Sequence, residues 1–543
     1  MQHPTLQVLV RRTRALLPVA LLLTPPLAAQ CEIDEFSVAG PAPGASLGWS
    51  SAVDGDFALF GAPYADGAGA AYFFERTPGG WVERARLDPS DGQSGDAFGW
   101  SVDLEGDFAL IGAPGDDDQG TDAGTAFVFE RTGNAWTEVA KLQGSSVDDF
   151  DGFGTSVALD FGFCFVGAPR ADGLVAETGA AFFFFPPGTQ PPLEFQILTA
   201  DDGATGDEFG IALAVDSGFA VIGAQRDDSP SPDAGSAYVF TQGAISYFQT
   251  HKLTASDAAG FEHFGCAIDV DLPTASILIG ANFAQGQGVT AGAAYLFEPG
   301  PGGWQEAGKL FDDEGSPGDG FGTSVFLDGA RALIGATQNV AALAQEGRAY
   351  LAERRGGSWE LTAAFAASDG ATFDTLGASV LLHGGEALVG APYESEGNPQ
   401  SGSVYVFDAR PRLGTEFCDA TENSTGRIGR LFATGSAVAA DDDLLLRAEC
   451  CPPGKVGIFF YGPLQVQAPL GDGLRCVGGL LRRLGPPLTT DAVGAAEREL
   501  DLSSEPALSD ITAAVPIEMH FQFWHRDGAG GSNLTRAVTV GFE

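Results

Sequence analysis

The pair Phe-Gly or Leu-Gly recurs at Leu47-Gly48, Phe98-Gly99, Phe153-Gly154, Phe209-Gly210, Phe264-Gly265, Phe321-Gly322 and Leu376-Gly377, at intervals of 51 to 57 residues. Thirteen residues after each of these glycines, fifteen in the fifth unit, stands Gly-Ala followed by Pro, Gln, Asn or Thr, from Gly61-Ala62-Pro63 to Gly390-Ala391-Pro392. Self-similarity at a fixed period of this length marks a repeat architecture, in which each unit buries its apolar faces against its neighbours. Every unit holds short β-branched or aromatic runs separated by glycine turns, such as Gly124-Thr-Ala-Phe-Val-Phe129 and Trp136 to Leu142. Four such runs make one antiparallel sheet per unit. With 76 glycines, 32 prolines and 40 phenylalanines in 543 residues, a helical bundle is excluded.

The predicted fold is all-β, a seven-bladed β-propeller over residues 31–409 followed by a small β-sandwich module over 410–543. The seventh unit ends at Phe407 without a fourth run, while the segment 32–36 ends eleven residues before Leu47, the offset of Leu87 before Phe98. The N-terminal segment is therefore expected to supply the outer strand of the last blade, which closes the ring and removes its sheet edges.

The order Phe-Gly, then Gly-Ala-Pro, then Gly402-Ser-Val-Tyr-Val-Phe407 and its equivalents resembles the FG-GAP repeat family. Its members form seven-bladed propellers in integrin α chains and in many secreted bacterial proteins. The resemblance covers about residues 31 to 409 and implies an extracellular binding or adhesion module. The family's calcium-binding integrin repeats carry an Asp-x-Asp-x-Asp-Gly loop between the first two strands. This chain has only tight hairpins there, such as Asp54-Gly55, Glu105-Gly106 and Asp328-Gly329, so those ligands do not carry over.

Residues 1–30 read as a signal peptide: Arg11, Arg12 and Arg14, the apolar run Ala15 to Leu23, and a small-residue stretch ending at Gln30. The run is too short to span a bilayer, no later window is long enough to do so, and an exported protein is expected. Arg11-Arg12 is compatible with a twin-arginine route, and Cys31 after Gln30 lacks the small preceding residue of a lipoprotein signal.

Seventy-two acidic against 28 basic side chains give a formal charge of -44, which disfavours nucleic acid and anionic membranes as partners and favours cations or cationic surfaces. Residues 31–409 hold 55 acids and 13 bases, so the acidity belongs to the propeller. With strands A to D counted from each Phe-Gly outward, the D-to-A links and B-to-C loops share one rim. These segments contain 31 Asp or Glu against Arg170 and Arg226 alone. A phrase of the type Asp-Gly-x-x-Gly-Asp recurs at Asp91 to Asp96, Asp202 to Asp207 and Asp369 to Asp374, and Asp116-Asp117-Asp118-Gln119-Gly120-Thr121-Asp122 is the densest cluster. Carboxylates on glycine-kinked loops are hard oxygen ligands suited to Ca²⁺, which makes Asp91, Asp96, Asp116, Asp118, Asp122, Asp202 and Asp207 candidate ligands. The competing reading is that aspartate favours turns by bonding its own backbone, and repeated turns repeat their aspartates.

Cys164 and Cys266 fall in strand-like runs and read as small buried hydrophobes. Cys418, Cys450, Cys451 and Cys476 crowd the C-terminal module. Neighbouring cysteines form a strained ring if bonded together, so Cys450 and Cys451 are each expected to take a partner from Cys418 and Cys476, in a pairing left open. No zinc spacing, P-loop, HExxH or dinucleotide fingerprint is present. The histidines, among them His251, His263, His383, His520 and His525, are scattered, and Gly44-Ala45-Ser46-Leu47-Gly48 has G-x-S-x-G spacing without the strand and helix a nucleophile elbow needs. The sequons at Asn423 and Asn533 read as incidental.

These observations predict a secreted or cell-surface, non-catalytic propeller that binds an extracellular protein or polysaccharide through its acidic rim, with Ca²⁺ as its one candidate cofactor. A propeller-based polysaccharide lyase or hydrolase is the alternative. It requires His, Tyr or Arg to converge at the channel mouth, where Trp49 and Trp100 stand. A structural extracellular protein, acidic for solubility alone, is the third reading.

Overall fold

The structure is a computed structural model that describes residues 29–30, 32–38, 43–173, 175–185, 193–244, 246–286, 288–337, 346–367, 370–371, 373–395, 399–410, 413, 415–418, 420–435, 444–491, 494–500, 517–527 and 531–542. The leader expected over 1–30 lies outside them apart from Ala29 and Gln30, which pair with Ala364 and Phe365 of blade 6. Cys31 and Asp369 also lie outside them.

Seven antiparallel sheets follow one another along the chain. Blade 1 runs Ser51–Asp54, Phe57–Ala62, Ala70–Thr77 and Gly80–Leu87, as strands A to D. Blade 2 repeats it at Ser101–Glu105, Phe108–Ala113, Thr125–Thr132 and Ala135–Leu142. Blades 3 to 6 begin at Ser156, Phe209, Phe264 and Phe321 and end at Leu198, Leu253, Leu310 and Phe365. Blade 7 is made of Val380–His383, Glu386–Ala391 and Ser403–Asp408, and its outer strand is Asp34–Phe36, with Asp34 opposite Val406 and Phe36 opposite Val404. The N-terminal segment thus closes the ring where the register of the repeats placed it.

The repeated motif is explained by how one blade meets the next. In five blades the serine two residues beyond the Phe-Gly glycine donates its hydroxyl to the carbonyl of the next blade's Phe-Gly glycine. These bonds are Ser50 to Gly99 (2.9 Å), and Ser101 to Gly154, Ser156 to Gly210, Ser324 to Gly377 and Ser379 to Gly48 (2.8 Å each). The last joins blade 7 to blade 1. The same carbonyl lies against the glycine of the preceding blade's Gly-Ala pair. A Cβ on Gly61, Gly112, Gly167, Gly223, Gly280, Gly335 or Gly390 would collide with it. The two glycines of the repeat are therefore two sides of one close backbone contact.

Between blades the alternate side chains of the strands fill shared cores, for example Leu59, Phe73, Phe98, Ile111 and Phe127 between blades 1 and 2. The C-terminal module has its own core. One sheet contributes Leu431, Ala433, Leu444 and Leu446, and the larger one Phe459, Tyr461, Phe521, Phe523 and Val538, so two sheets face each other as in a β-sandwich.

Cys418 is bonded to Cys476, which corrects the pairing expected from the sequence. Cys450 is disulfide-bonded too, but Cys451 is a buried free thiol. Cys451, two residues beyond the strand Leu444–Glu449, lies in the sandwich core, and burial pushes its thiol up. Cys164 and Cys266 are also free. Asn423 and Asn533 are buried, and their amides donate inward, to the Cys450 carbonyl and to the Thr421 and Glu422 carbonyls.

Candidate functional site

The D-to-A links and B-to-C loops lie together on one rim of the ring. Each link is tied to the B-to-C loop of the preceding blade through backbone bonds. The residue three before the Phe-Gly phenylalanine or leucine donates its N–H to that loop: Gly44 to Pro399, Gly95 to Gly67, Phe150 to Thr121, Gly206 to Glu177, Phe261 to Pro232 and Gly318 to Thr290, at 2.7–2.9 Å. The next residue is an acid in five of these links, and its carboxylate folds back to accept a backbone N–H three residues earlier. Asp96 accepts from Gln93 (2.6 Å), Asp151 from Asp148 (2.7 Å), Asp207 from Ala204 (2.7 Å), Glu262 from Ala259 (2.9 Å) and Asp319 from Ser316 (2.6 Å). Asp374 of the last link does the same toward Ala371. Burial raises the pKa of Asp96, Asp151, Asp207 and Asp319 against these bonds. Asp96 and Asp207 are thus buried turn caps.

Three other candidates meet around one ammonium. Lys141, next to last in strand D of blade 2, reaches Asp91 (2.9 Å), Asp116 (3.1 Å) and Asp118 (2.6 Å). Its Nζ lies 5.1 Å from the centre of the Phe127 ring. Burial works against that charge, but the three carboxylates outweigh it and hold the lysine pKa above its usual value. Lys252 of blade 4 repeats the arrangement with Asp202 (2.7 Å), Asp227 (2.8 Å) and the Tyr238 ring. Lys309 of blade 5 does so with Asp257 (2.7 Å), the Gln285 carbonyl (2.6 Å) and the Tyr295 ring. Asp202 stays below its usual pKa because Lys252 and the Tyr238 hydroxyl outweigh its burial.

Three of the four lysines in the chain therefore stand where a loop-bound cation would stand. Asp91, Asp116, Asp118 and Asp202 fit an ammonium in place, and a Ca²⁺ there would have to displace it. Asp122 is exposed, with its N–H bonded to Asp117 (2.8 Å). Among the described residues no group of three or more His, Cys, Asp or Glu is placed to hold a metal ion.

Asp227 was not singled out in the sequence, yet it occupies in blade 4 the place of Asp116 in blade 2, four residues past the Gly-Ala glycine. The signal that could have found it is Lys-Leu at the end of strand D, at Lys141-Leu142, Lys252-Leu253 and Lys309-Leu310, in phase with these aspartates.

At the channel mouth Trp49 packs on Trp100 (4.7 Å between ring centres), Tyr64 (5.7 Å) and Tyr393 (6.2 Å). Two tyrosines thus join the tryptophans. Burial and the neighbouring Tyr393 raise the Tyr64 phenol, which keeps it protonated and unsuited to act as a base at neutral pH. Ser46 is buried in a D-to-A link and is followed by a strand, not a helix. The histidines stay apart: His263 meets Phe283 edge-on, His383 is in a blade 7 hairpin, and His520 and His525 are buried in the sandwich, where desolvation lowers their pKa.

The FG-GAP repeat model matches residues 81–129, 136–184, 193–240, 247–297, 304–352 and 359–407. The chain belongs to the FG-GAP repeat family. Each match runs from strand D of one blade through strand C of the next. The unit left over joins Asp34–Phe36 to blade 1 across the closure, which is why six matches accompany seven sheets. No curated protein matches the chain. Among solved structures, a "putative 6-phosphogluconolactonase" from Bacteroides uniformis is similar to it at 12% identity and a TM-score of 0.42, over 59% of this chain and 85% of the other.

Proposed function

We propose that this chain is an exported, non-catalytic propeller that binds an extracellular partner through the rim built from its D-to-A links and B-to-C loops. The observation that carries this reading is the composition of those links and loops, 31 carboxylates against two arginines, far in excess of the three strand-D lysines that reach into them, mounted on loops whose ends are locked to rigid blades. The leader-like first thirty residues and the family support it. Lysine-filled carboxylate clusters argue that Ca²⁺ is not what organises these loops.

The test compares the full chain with an Asp122→Ala/Asp148→Ala/Glu177→Ala/Asp201→Ala variant. The probes are an arginine-rich peptide, a neutral glucan and alginate, with reducing ends measured in the two polysaccharide arms. The expected result is binding of at least one probe, lost in the variant, with no new reducing ends. Failure of the chain to bind any probe, or release of reducing ends, would overturn the reading.

A further inference from the structure

The seven D-to-A links allow a comparison inside the molecule. The residue three before the Phe-Gly phenylalanine or leucine lies in the left-handed backbone region in every blade: Gly44, Gly95, Phe150, Gly206, Phe261, Gly318 and Phe373, with φ between 65° and 111°. Glycine adopts this conformation freely, whereas a bulky side chain is strained by its Cβ. Four blades use glycine. Blades 3, 5 and 7 place phenylalanine there instead.

Neither the backbone bond that closes each link nor any ring stacking among the described residues depends on these three side chains. The backbone bond to the preceding B-to-C loop is made by Gly95, Gly206 and Gly318 as well as by Phe150 and Phe261. Phe150, Phe261 and Phe373 are 53%, 64% and 63% exposed and stack on no other ring among the described residues. Strain and exposed apolar area are thus both accepted at one position, three times, on the rim that carries the carboxylates. On the opposite rim Phe161 is strained and exposed as well, but there it is one hairpin of seven. Large exposed apolar groups repeated on one face of a soluble protein mark an interaction surface.

Charge decides what fits it. Asp148 and Asp149 stand exposed beside Phe150, while the acids that directly follow the three rings, Asp151, Glu262 and Asp374, are the buried turn caps described above. The chain's own rim cations show what this chemistry accepts: each rim lysine sits among oxygen acceptors and over an aromatic ring. Resting on the binding role proposed above, we infer that Phe150, Phe261 and Phe373 are the anchors of that rim, and that its partner is a polypeptide surface bearing arginine or lysine. Its cations would stack on the three rings and pair with exposed rim carboxylates such as Asp148 and Asp149.

The experiment uses the full chain and a Phe150→Gly/Phe261→Gly/Phe373→Gly variant. The probes are a peptide of alternating arginine and glycine, the same peptide with citrulline for arginine, and a neutral glucan. The variant is expected to melt at the same temperature as the parent or higher, since glycine suits the backbone, and to bind the arginine peptide roughly ten-fold or more weakly. The citrulline peptide should bind neither protein. Equal binding of the arginine peptide by both proteins would overturn the anchoring role while leaving the acidic rim as the binding face. Phe-dependent binding of the glucan or the citrulline peptide in place of the arginine peptide would overturn the cationic partner. A fall in melting temperature would make the phenylalanines structural and overturn the inference. Loss of all binding by the parent chain would remove the rim reading beneath it.

Discussion

The two rims of the ring are both acidic, and they use their acids in opposite ways. On the A-to-B hairpin rim, carboxylates of one blade hold the next. Asp54 accepts the Gly106 N–H (2.6 Å), and Glu105 accepts Phe161 (2.9 Å) and Gly162 (2.7 Å). Asp160 accepts Ser217 (3.2 Å) and Gly218 (3.1 Å), and Asp216 accepts Leu272 (2.8 Å). On the loop rim the inner carboxylates cap turns or enclose lysines. Asp122, Asp148, Glu177 and Asp201 remain exposed, and their side chains have no donor among the described residues. Where a carboxylate meets a backbone N–H of the next blade it is part of the ring. Where it faces water it is available to a partner.

The largest effect that could break this comparison lies at the hub both rims share. Gly112→Val would drive a side chain into the Gly154 carbonyl and the Ser101 hydroxyl. A loss above about 4 kcal/mol is expected, seen as insoluble or unfolded protein in a denaturant titration. Lys141→Met should come next. It leaves Asp91, Asp116 and Asp118 without their shared cation, at a cost of about 1–3 kcal/mol after allowing for the exposure of Asp91 and Asp118. The variant's melting temperature should then rise with Ca²⁺ while the parent responds to Ca²⁺ only as it does to Mg²⁺. A Ca²⁺-specific rise in the parent would restore a metal to this rim. On the other rim, Glu105→Ala strands two hairpin N–H groups of blade 3 and should cost about 1–2 kcal/mol by thermal melting.

A smaller effect is expected from pH. Asp103 and Asp269, on the inner strands of blades 2 and 5, each accept an N–H from the following blade, at Leu159 and Leu327 (2.6 Å). Desolvation nevertheless pushes them up to about 6 and about 7. An unfolded carboxylate loses its proton near pH 4, so between there and neutrality the folded ring binds protons the unfolded chain has released. Their contribution to stability is fully present below about pH 4 and is lost as pH rises through 6 and 7. Melting curves at pH 4.5 and 7.5 should show this fall, and Asp103→Asn/Asp269→Asn should flatten it.

The ring was legible because its determinants are local and repeated. The offset of 32–36 from Leu47 placed the closing strand, and each Phe-Gly and Gly-Ala pair fixed a strand start or a close contact. The site was less legible. Asp96 and Asp116 look alike as letters, but one caps its own turn and the other meets Lys141 from a strand about 25 residues later, a pairing only the fold makes. Phe150, Phe261 and Phe373 escaped notice because an exposed phenylalanine and a core phenylalanine are the same residue until the left-handed backbone is seen. Cys451 is a similar case: the adjacent letters Cys450-Cys451 do not show which thiol is bridged and which enters the sandwich core.

The most direct measurement sets two full-length variants side by side, Asp54→Ala/Glu105→Ala/Asp160→Ala/Asp216→Ala on the hairpin rim and Asp122→Ala/Asp148→Ala/Glu177→Ala/Asp201→Ala on the loop rim. Each is read by melting temperature and by capture of an arginine-rich peptide. Removing equal charge should lower the melting temperature sharply in the first and leave it unchanged or higher in the second, while capture is lost in the second among molecules that remain folded. Equal losses of stability in the two, or capture unchanged by the loop-rim variant, would contradict the division of labour between the rims.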